Sequence, residues 1–488
     1  MLNRKIAHYK KIMAQAPDYE TWKEAALELD YLLGHVDWKE AFVSDLYNFD
    51  LIYDRLQQLR ESHQKRQHID LVRSLREGLH HDLGNMGNPA LYQVAHVGTK
   101  HLIEEYVNQV CESLNYVCDT PMDCLPERKK LEFFKDTLIS FGRPALLLSG
   151  GASLGMFHIG VVKALWERGL LPQVITGSSV GSIIAAMIGT RTDAELPELL
   201  MPERHNLKAW RWRGVWSAIS GQGLMDQQEL ERCLRTNIGE YSFEEAFKRS
   251  GRSINVTVSP VHLHQKERLL SGYTSPYMLV WSASLASCAV PGIFPPVMLM
   301  KKDGKGSITP YMSRLRWVDG SVTSDLPIER LMHLYDVNYS IVSQTNPHIV
   351  PFLNRQERKK KTSMLALPSR IMKAEVQFHG KAAFDYLRKH VEPELLRQLA
   401  GHAYTIMAQR YSGDVNIAPR YTFKHYASML SNPTPEFVKE MILQGERATW
   451  PKIAMIRTHS KISTTLERCI SRLKSQIENR RAELRVIA

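Results

Sequence analysis

A chain of 488 residues is too long for one simple hydrophobic core, so two or three packed regions are expected. Hydrophobic residues at 44% and charged residues at 23% exclude a disordered or fibrous class. The formal net charge of +12 fits an acidic lipid surface or a solubility role; no nucleic-acid motif is present, which argues against that partner.

The first residues, Met1 to Lys11, are basic but lead into no apolar run of the kind a secretory signal needs. No run of about 18 apolar residues occurs, so a spanning helix is not expected. The expectation is a cytoplasmic protein touching membrane or lipid surfaces peripherally. Cys111, Cys118, Cys124, Cys233, Cys288 and Cys469 form no CxxC pair, so free thiols are expected and a structural zinc is not.

Residues 1–140 read as a helical domain. Thr21 and Glu24 form a capping-box pattern, and Trp22, Ala25, Leu29, Leu32 and Leu33 follow at helical spacing. His80-His81-Asp82 reads as a solvated helix face. From 141 to 350 the texture alternates. Ala145–Leu148, Val174-Ile175, Ile254–Val258, Arg316–Val318 and Tyr339–Val342 are short apolar runs, and helical patterns separate them. This predicts an α/β three-layer sandwich with a mostly parallel central sheet, flanked by helical regions. Residues 351–488 read as helical. Ile462, Leu466, Ile470, Leu473, Ile477 and Leu484 form an apolar stripe that could cover the core, pair with a partner helix or lie on a membrane.

Gly177-Ser178-Ser179-Val180-Gly181 matches the nucleophile elbow G-x-S-x-G between a strand and an apolar helix. The glycines permit a sharp turn, and the helix N-terminus favours negative charge at the serine. Gly151-Ala152-Ser153-Leu154-Gly155 matches the same pattern in the same context, so Ser153 competes with Ser179 locally. Small residues at Gly150, Gly151 and Ala152 would expose successive N–H groups, which suits an oxyanion hole. One loop per role uses both motifs. The nucleotide-binding reading fails because G-x-G-x-x-G breaks at Ala152 and the phosphate-binding lysine is replaced by Met156. A serine needs a base. None of the 19 histidines lies in a recognisable motif, whereas Asp319-Gly320 directly follows a predicted strand. His158 reads as a helix residue packed near the site, and Ser178 as a helix cap.

The order Ser149-Gly150-Gly151…Gly155, Gly177-x-Ser179-x-Gly181 and Asp319-Gly320 resembles the patatin-like phospholipase family. Ser284-Leu285-Ala286, Pro291-Gly292-Ile293-Phe294-Pro295-Pro296-Val297 and Asn255-Val256-Thr257 agree, so the resemblance covers roughly 143–345. Ala152 and Leu154 stand where that family usually has glycine and a basic residue, and Ser321 where it usually has glycine. The loop Ser149–Gly155 and the stretch Val342-Ser343-Gln344-Thr345-Asn346-Pro347-His348 resemble the branch of plant and yeast triacylglycerol lipases. In that branch a helical region of unknown role precedes the patatin domain.

The resemblance implies a lipid acyl hydrolase with Ser179 as nucleophile and Asp319 as base, working without histidine, metal or organic cofactor. An acyl-enzyme would form, and N–H groups of Gly150, Gly151 and Ala152 would hold the oxyanion. Acylglycerols are the expected substrates. Phospholipid hydrolysis and acyl transfer to a lysophospholipid are alternatives through the same intermediate, and an inactive lipid-binding protein is the non-enzymatic one. The histidine-based H-x-x-x-x-D acyltransferase signature is absent. Trp210-Arg211-Trp212-Arg213-Gly214-Val215-Trp216 has the composition of a membrane-interface anchor, and Arg358–Lys361 before Met364–Leu367 is a second candidate. The sequence leaves the oligomeric state open.

Overall fold

A strand covered on both faces carries apolar side chains at successive positions, and β1 (Arg143–Leu148) does so. Leu146 and Leu148 join one hydrophobic cluster, and Ala145 and Leu147 a second. The computed structural model describes residues 1–201, 208–213, 224–261, 267–320, 325–351, 353 and 412–487, the last seven by backbone alone. Val215, Trp216, the basic run Arg358–Lys361 and the stretch Met364–Leu367 lie outside the described residues, as does the side chain of Leu484.

The strands after β1 are β2 (Val174–Gly177), β3 (Ser253–Pro260), β4 (Arg268–Ser271), β5 (Met300–Lys302), β6 (Ile308–Pro310), β7 (Trp317–Asp319), β8 (Val337–Ser343) and β9 (Val415–Ile417). The main sheet runs β4-β3-β2-β1-β8-β9, with β7 also on β3. The pairs β3–β2, β2–β1, β1–β8 and β8–β9 are parallel, while β4 and β7 lie antiparallel to β3. The fold is therefore the expected α/β class with a mostly parallel sheet. Each apolar run read as a strand falls on one of these strands. The region after 350, read as helical, also supplies β9. Three residues between loops are too few to show a period in sequence.

Helix Ile328–Tyr335 covers one face through Leu331 and Tyr335. Helices Val180–Gly189 and Val280–Ser287 pack on the other. The amino-terminal residues form seven α-helices, ending with Glu127–Phe141. Their core residues, including Trp22, Leu29 and Phe134, are buried like those of the sheet. The helix Ile453–Ile487 joins the two parts. It packs on helices His101–Asp119 and Glu127–Phe141 as well as on β1 and β8. Its stripe residues Ile462, Leu466, Ile470 and Leu473 are buried and Ile477 is half-buried, so the stripe covers the protein's own core. Among the described residues no helix is long and apolar enough to cross a membrane. No disulfide joins the six cysteines.

Two local expectations are corrected. The helix Tyr19–Leu32 starts before Thr21, because the Asp18 carboxylate caps it by accepting the Thr21 N–H at 2.8 Å. His80-His81-Asp82 lies in a turn after helix His68–Glu77. The His81 ring packs against Phe141, Tyr339 and His459 at 5.6, 5.7 and 5.1 Å between centroids.

Because Leu466 is fully buried where the carboxy-terminal helix meets the core, Leu466→Ala should lower unfolding stability by about 2–5 kcal/mol. Urea denaturation reads this directly. A loss below about 1 kcal/mol would place the stripe outside the core.

Candidate active site

Strand β2 ends at Gly177 and helix Val180–Gly189 begins three residues on, so the chain must reverse within two residues. Ser179 does this with φ 52° and ψ −125°, a conformation that costs a side-chain-bearing residue about 1–3 kcal/mol. Its surroundings hold it there. The Ser179 N–H donates to Ser287 Oγ at 2.9 Å, and the Ser182 hydroxyl donates to the Ser179 carbonyl at 2.6 Å. The two flanking glycines are steric necessities. A β-carbon at Gly177 would lie 2.2 Å from the Gly181 carbonyl oxygen, and one at Gly181 would lie 2.1 Å from that of Leu148. The helix begins without a side-chain cap, so Ser178 is not the cap expected. The Val180 N–H in its first turn has no partner among the described residues.

Asp319 reaches the same edge by another route. On β3, Val256 pairs with Gly177 of β2, and Val258 pairs with Asp319 of β7. One strand thus sets both loops side by side. Asp319 is fully buried from bulk solvent yet lines the same cavity as Ser179. Cys288 lines the cavity with them and is hydrogen-bonded with the Ser179 and Ser182 hydroxyls. Burial and the Asp319 charge push its thiol well above the usual range, so it stays protonated at neutral pH.

The loop after β1 is gripped peptide by peptide. In a trans peptide the C=O and the following N–H point opposite ways. The Ser149 carbonyl accepts His158 Nε2–H at 3.0 Å, and the Gly150 N–H of that peptide donates to Asp325 Oδ1 at 3.1 Å. The Gly150 carbonyl accepts the Thr345 hydroxyl at 2.8 Å. The Gly151 N–H therefore points away from Thr345, and neither it nor the Ala152 N–H has a partner among the described residues. Both residues line the cavity. This corrects one expectation: Gly150 lines the cavity, but its N–H is committed to a buried carboxylate. Gly151 has φ 156°, and a β-carbon there would lie 2.5 Å from Thr345 Oγ1. Ala152 has φ 52°, a left-handed conformation that glycine adopts without strain.

His158 and Ser153 find other work. A carbonyl can only accept, so His158 Nε2 carries the proton and Nδ1 accepts from the Ser343 hydroxyl at 2.7 Å. Complete burial pushes this imidazole down to about 4, so it is neutral at physiological pH, and it lies beneath the loop outside the cavity lining. Ser153 sits in a 3₁₀ turn, Ala152–Met156, rather than an elbow. Its hydroxyl donates to the Ser431 carbonyl at 2.7 Å, and its N–H to that of Met429 at 3.1 Å.

The cavity has a volume of about 250 Å³. Ile159, Ile184, Met187, Leu230 and Phe294 make its wall, and none of its described lining residues is a lysine or arginine. Part of the rim comes from residues that sequence reading passed over. Met429, Leu430 and Pro433 line the cavity, and Asn432 clamps the Trp210 segment. Its Oδ1 accepts the N–H of Ala209 and Trp210 at 2.9 and 2.8 Å, and its Nδ2 donates to the Trp210 carbonyl at 2.8 Å. Trp212 nearby in the chain is 59% exposed, and Phe423, leading into the Met429 loop, is 89% exposed.

Asp30, His35 and His96 are the one group among the described residues with metal-ligand spacing. Asp30 already accepts from both rings and from the N–H groups of His96 and Val97, and Lys39 Nζ lies 3.7 Å away. Hydrogen bonds and a cation thus satisfy its charge, which suits a structural cluster better than a metal ion.

Residues 146–332 match the family model described as patatin-like phospholipase, and residues 1–138 match one described as a domain of unknown function, DUF3336. The chain is 34% identical to Triacylglycerol lipase 4 of Saccharomyces cerevisiae over 95% of its length, spanning 53% of that protein. It is 35% identical to Triacylglycerol lipase SDP1L of Arabidopsis thaliana over 98% of its length, spanning 60% of that protein. With Triacylglycerol lipase ptl3 of Schizosaccharomyces pombe the identity is 34%, over 94% of this chain and 96% of that one. The chain thus spans little more than half of the first two relatives and nearly all of the third.

The close approach at the elbow gives a steric test. Gly181→Ala sets a β-carbon against the Leu148 backbone and should destabilise the protein by about 3 kcal/mol or more. Thermal melting would show it; a melting temperature equal to the parent's would refute the geometry.

Proposed function

The chain belongs to the patatin-like phospholipase family, and from that premise we propose that it is a serine lipid acyl hydrolase acting on acylglycerols through a Ser179–Asp319 dyad. The observation that carries this reading is the strained elbow of Ser179 opening on an apolar cavity that Asp319 also lines. In the proposed mechanism Asp319 takes the hydroxyl proton of Ser179, and the alkoxide attacks the ester carbonyl. The N–H groups of Gly151 and Ala152, with that of Val180 at the helix start, receive the negative charge. Asp319 then protonates the leaving glyceride oxygen, and water frees the fatty acid.

Substrate class follows from the wall. An apolar cavity without lysine or arginine among its described lining residues suits an acyl chain on a neutral glyceride. Among the described lining residues a phosphate group would find no cation to replace its hydration. This favours triacylglycerol and diacylglycerol over phospholipid. The exposed Trp212 and Phe423, on segments that form the rim, offer an apolar contact with a lipid surface, and the +12 charge favours an anionic one.

Two experiments test the reading. Ser179→Ala should abolish labelling by a fluorophosphonate probe while Ser153→Ala retains it, and Asp319→Asn should cut turnover of a triacylglycerol emulsion by about 100-fold or more. Loss of labelling in the Ser153 variant alone would reverse the assignment. Sedimentation with anionic vesicles should fall, but not vanish, as salt rises. Trp212→Ala with Phe423→Ala should remove the salt-resistant part; a folded double variant that binds like the parent would remove the rim from the account.

A further inference from the structure

The stretch after β8, Gln344-Thr345-Asn346, has no part in the dyad, yet it closes around the glycine loop from below. The Thr345 N–H donates to Ser149 Oγ at 2.8 Å and its hydroxyl to the Gly150 carbonyl at 2.8 Å. Asn346 Nδ2 donates to Asp325 Oδ2 at 2.6 Å, and the other oxygen of that carboxylate takes the Gly150 N–H. Asp325 is 2% exposed. Resting on the hydrolase reading above, we propose that Asp325 is a positioning residue: by taking the Gly150 N–H it fixes the peptide plane ahead of Gly151, and so aims the Gly151 and Ala152 N–H groups at the substrate carbonyl.

Peptide geometry carries the argument. The plane between Ser149 and Gly150 is held at both ends, by His158 on its carbonyl and by Asp325 on its N–H. The next plane is held only at its carbonyl, by the hydroxyls of Thr345 and Ser149, and its Gly151 N–H is left to the cavity. Fixing one plane limits the rotation of the next about a single Cα. That Cα belongs to Gly150, the residue type least restrained by its own sterics, so an external restraint has the most to do there. A preorganised donor stabilises a developing oxyanion because it need not reorient during the reaction. Burial pushes the Asp325 carboxyl up to about 6, with the Gly150 N–H and Asn346 holding its charge in the other direction, so it is chiefly ionised at neutral pH. The Ser178 and Gln344 side chains also hydrogen-bond this carboxylate; being ionised it only accepts, and the Gly150 N–H and the Asn346 amide, one on each oxygen, both donate. An asparagine amide would match one of them and oppose the other.

Asp325→Asn keeps the shape and removes one acceptor. Activity would be expressed per serine titrated with fluorophosphonate, which removes any effect of misfolded protein. We expect kcat for a soluble short-chain ester to fall about 10-fold or more, with KM within twofold of the parent. Binding of a trifluoromethyl ketone, whose adduct carries an oxyanion, should weaken by the same factor as kcat/KM. Asn346→Ala, which removes a partner of the second carboxylate oxygen, should give a smaller change in the same direction and stands in if the first variant does not fold. A kcat and a ketone affinity within twofold of the parent, in whichever variant folds, would overturn the role of Asp325. The hydrolase reading fails separately, if the parent itself shows no Ser179-dependent ester turnover.

Discussion

The carbonyl of Leu148, the last residue of β1, accepts the Ser178 N–H at 3.1 Å and passes so near Gly181 that no β-carbon fits between them. This one approach ties the end of β1 to the start of the elbow helix. The residues after Leu148 are the glycine loop, and those around Ser178 are the nucleophile turn, so the contact fixes two loops relative to each other. Neither the φ of +52° at Ser179 nor the oriented peptides of Gly150 and Gly151 would face a common space without it. The parallel pairing of β1 with β2, Leu148 opposite Gly177, sets this height along the sheet.

Polar groups under the glycine loop divide the remaining work. His158, Thr345, Ser149 and Asp325 satisfy the carbonyls and one N–H of the loop from beneath, where solvent is excluded. An imidazole is useful there because it is neutral: burial keeps it from titrating near physiological pH, and each ring nitrogen has one fixed role. The second G-x-S-x-G serine has become an anchor. Ser153 holds the loop of Met429 to Ser431, which brings apolar side chains from the carboxy-terminal region to the cavity.

Much of this was legible in the sequence where the signal was local. Short runs rich in apolar residues marked β1, β2, β3 and β8, as strands buried on both faces require. The order of the two glycine motifs and Asp319 pointed to the family, and the chain belongs to it. What was not legible depends on contacts far apart in the chain. Ser153 and Ser431 are 278 positions apart, and Gly150 and Asp325 are 175 apart. No local pattern tells which N–H of a glycine run is already taken, so Gly150 was grouped with Gly151 and Ala152. β9 was invisible because a three-residue strand at the edge of a parallel sheet has no period to detect. Asp325 carried one faint signal, an acidic residue six positions after Asp319 in front of Leu326-Pro327, which reads equally well as a solvated turn before a helix.

The proposal that an acyl group passes through Ser179 is met most directly by trapping it. The parent protein, mixed with a short-chain p-nitrophenyl ester whose good leaving group speeds acylation, and quenched in acid during turnover, would hold the acyl-enzyme whose hydrolysis is then the slow step. Peptide mass mapping should place the added acyl mass on the peptide containing Ser179. An acyl group found on Ser153 or Cys288, or on no residue while the parent still turns over the ester, would contradict the account.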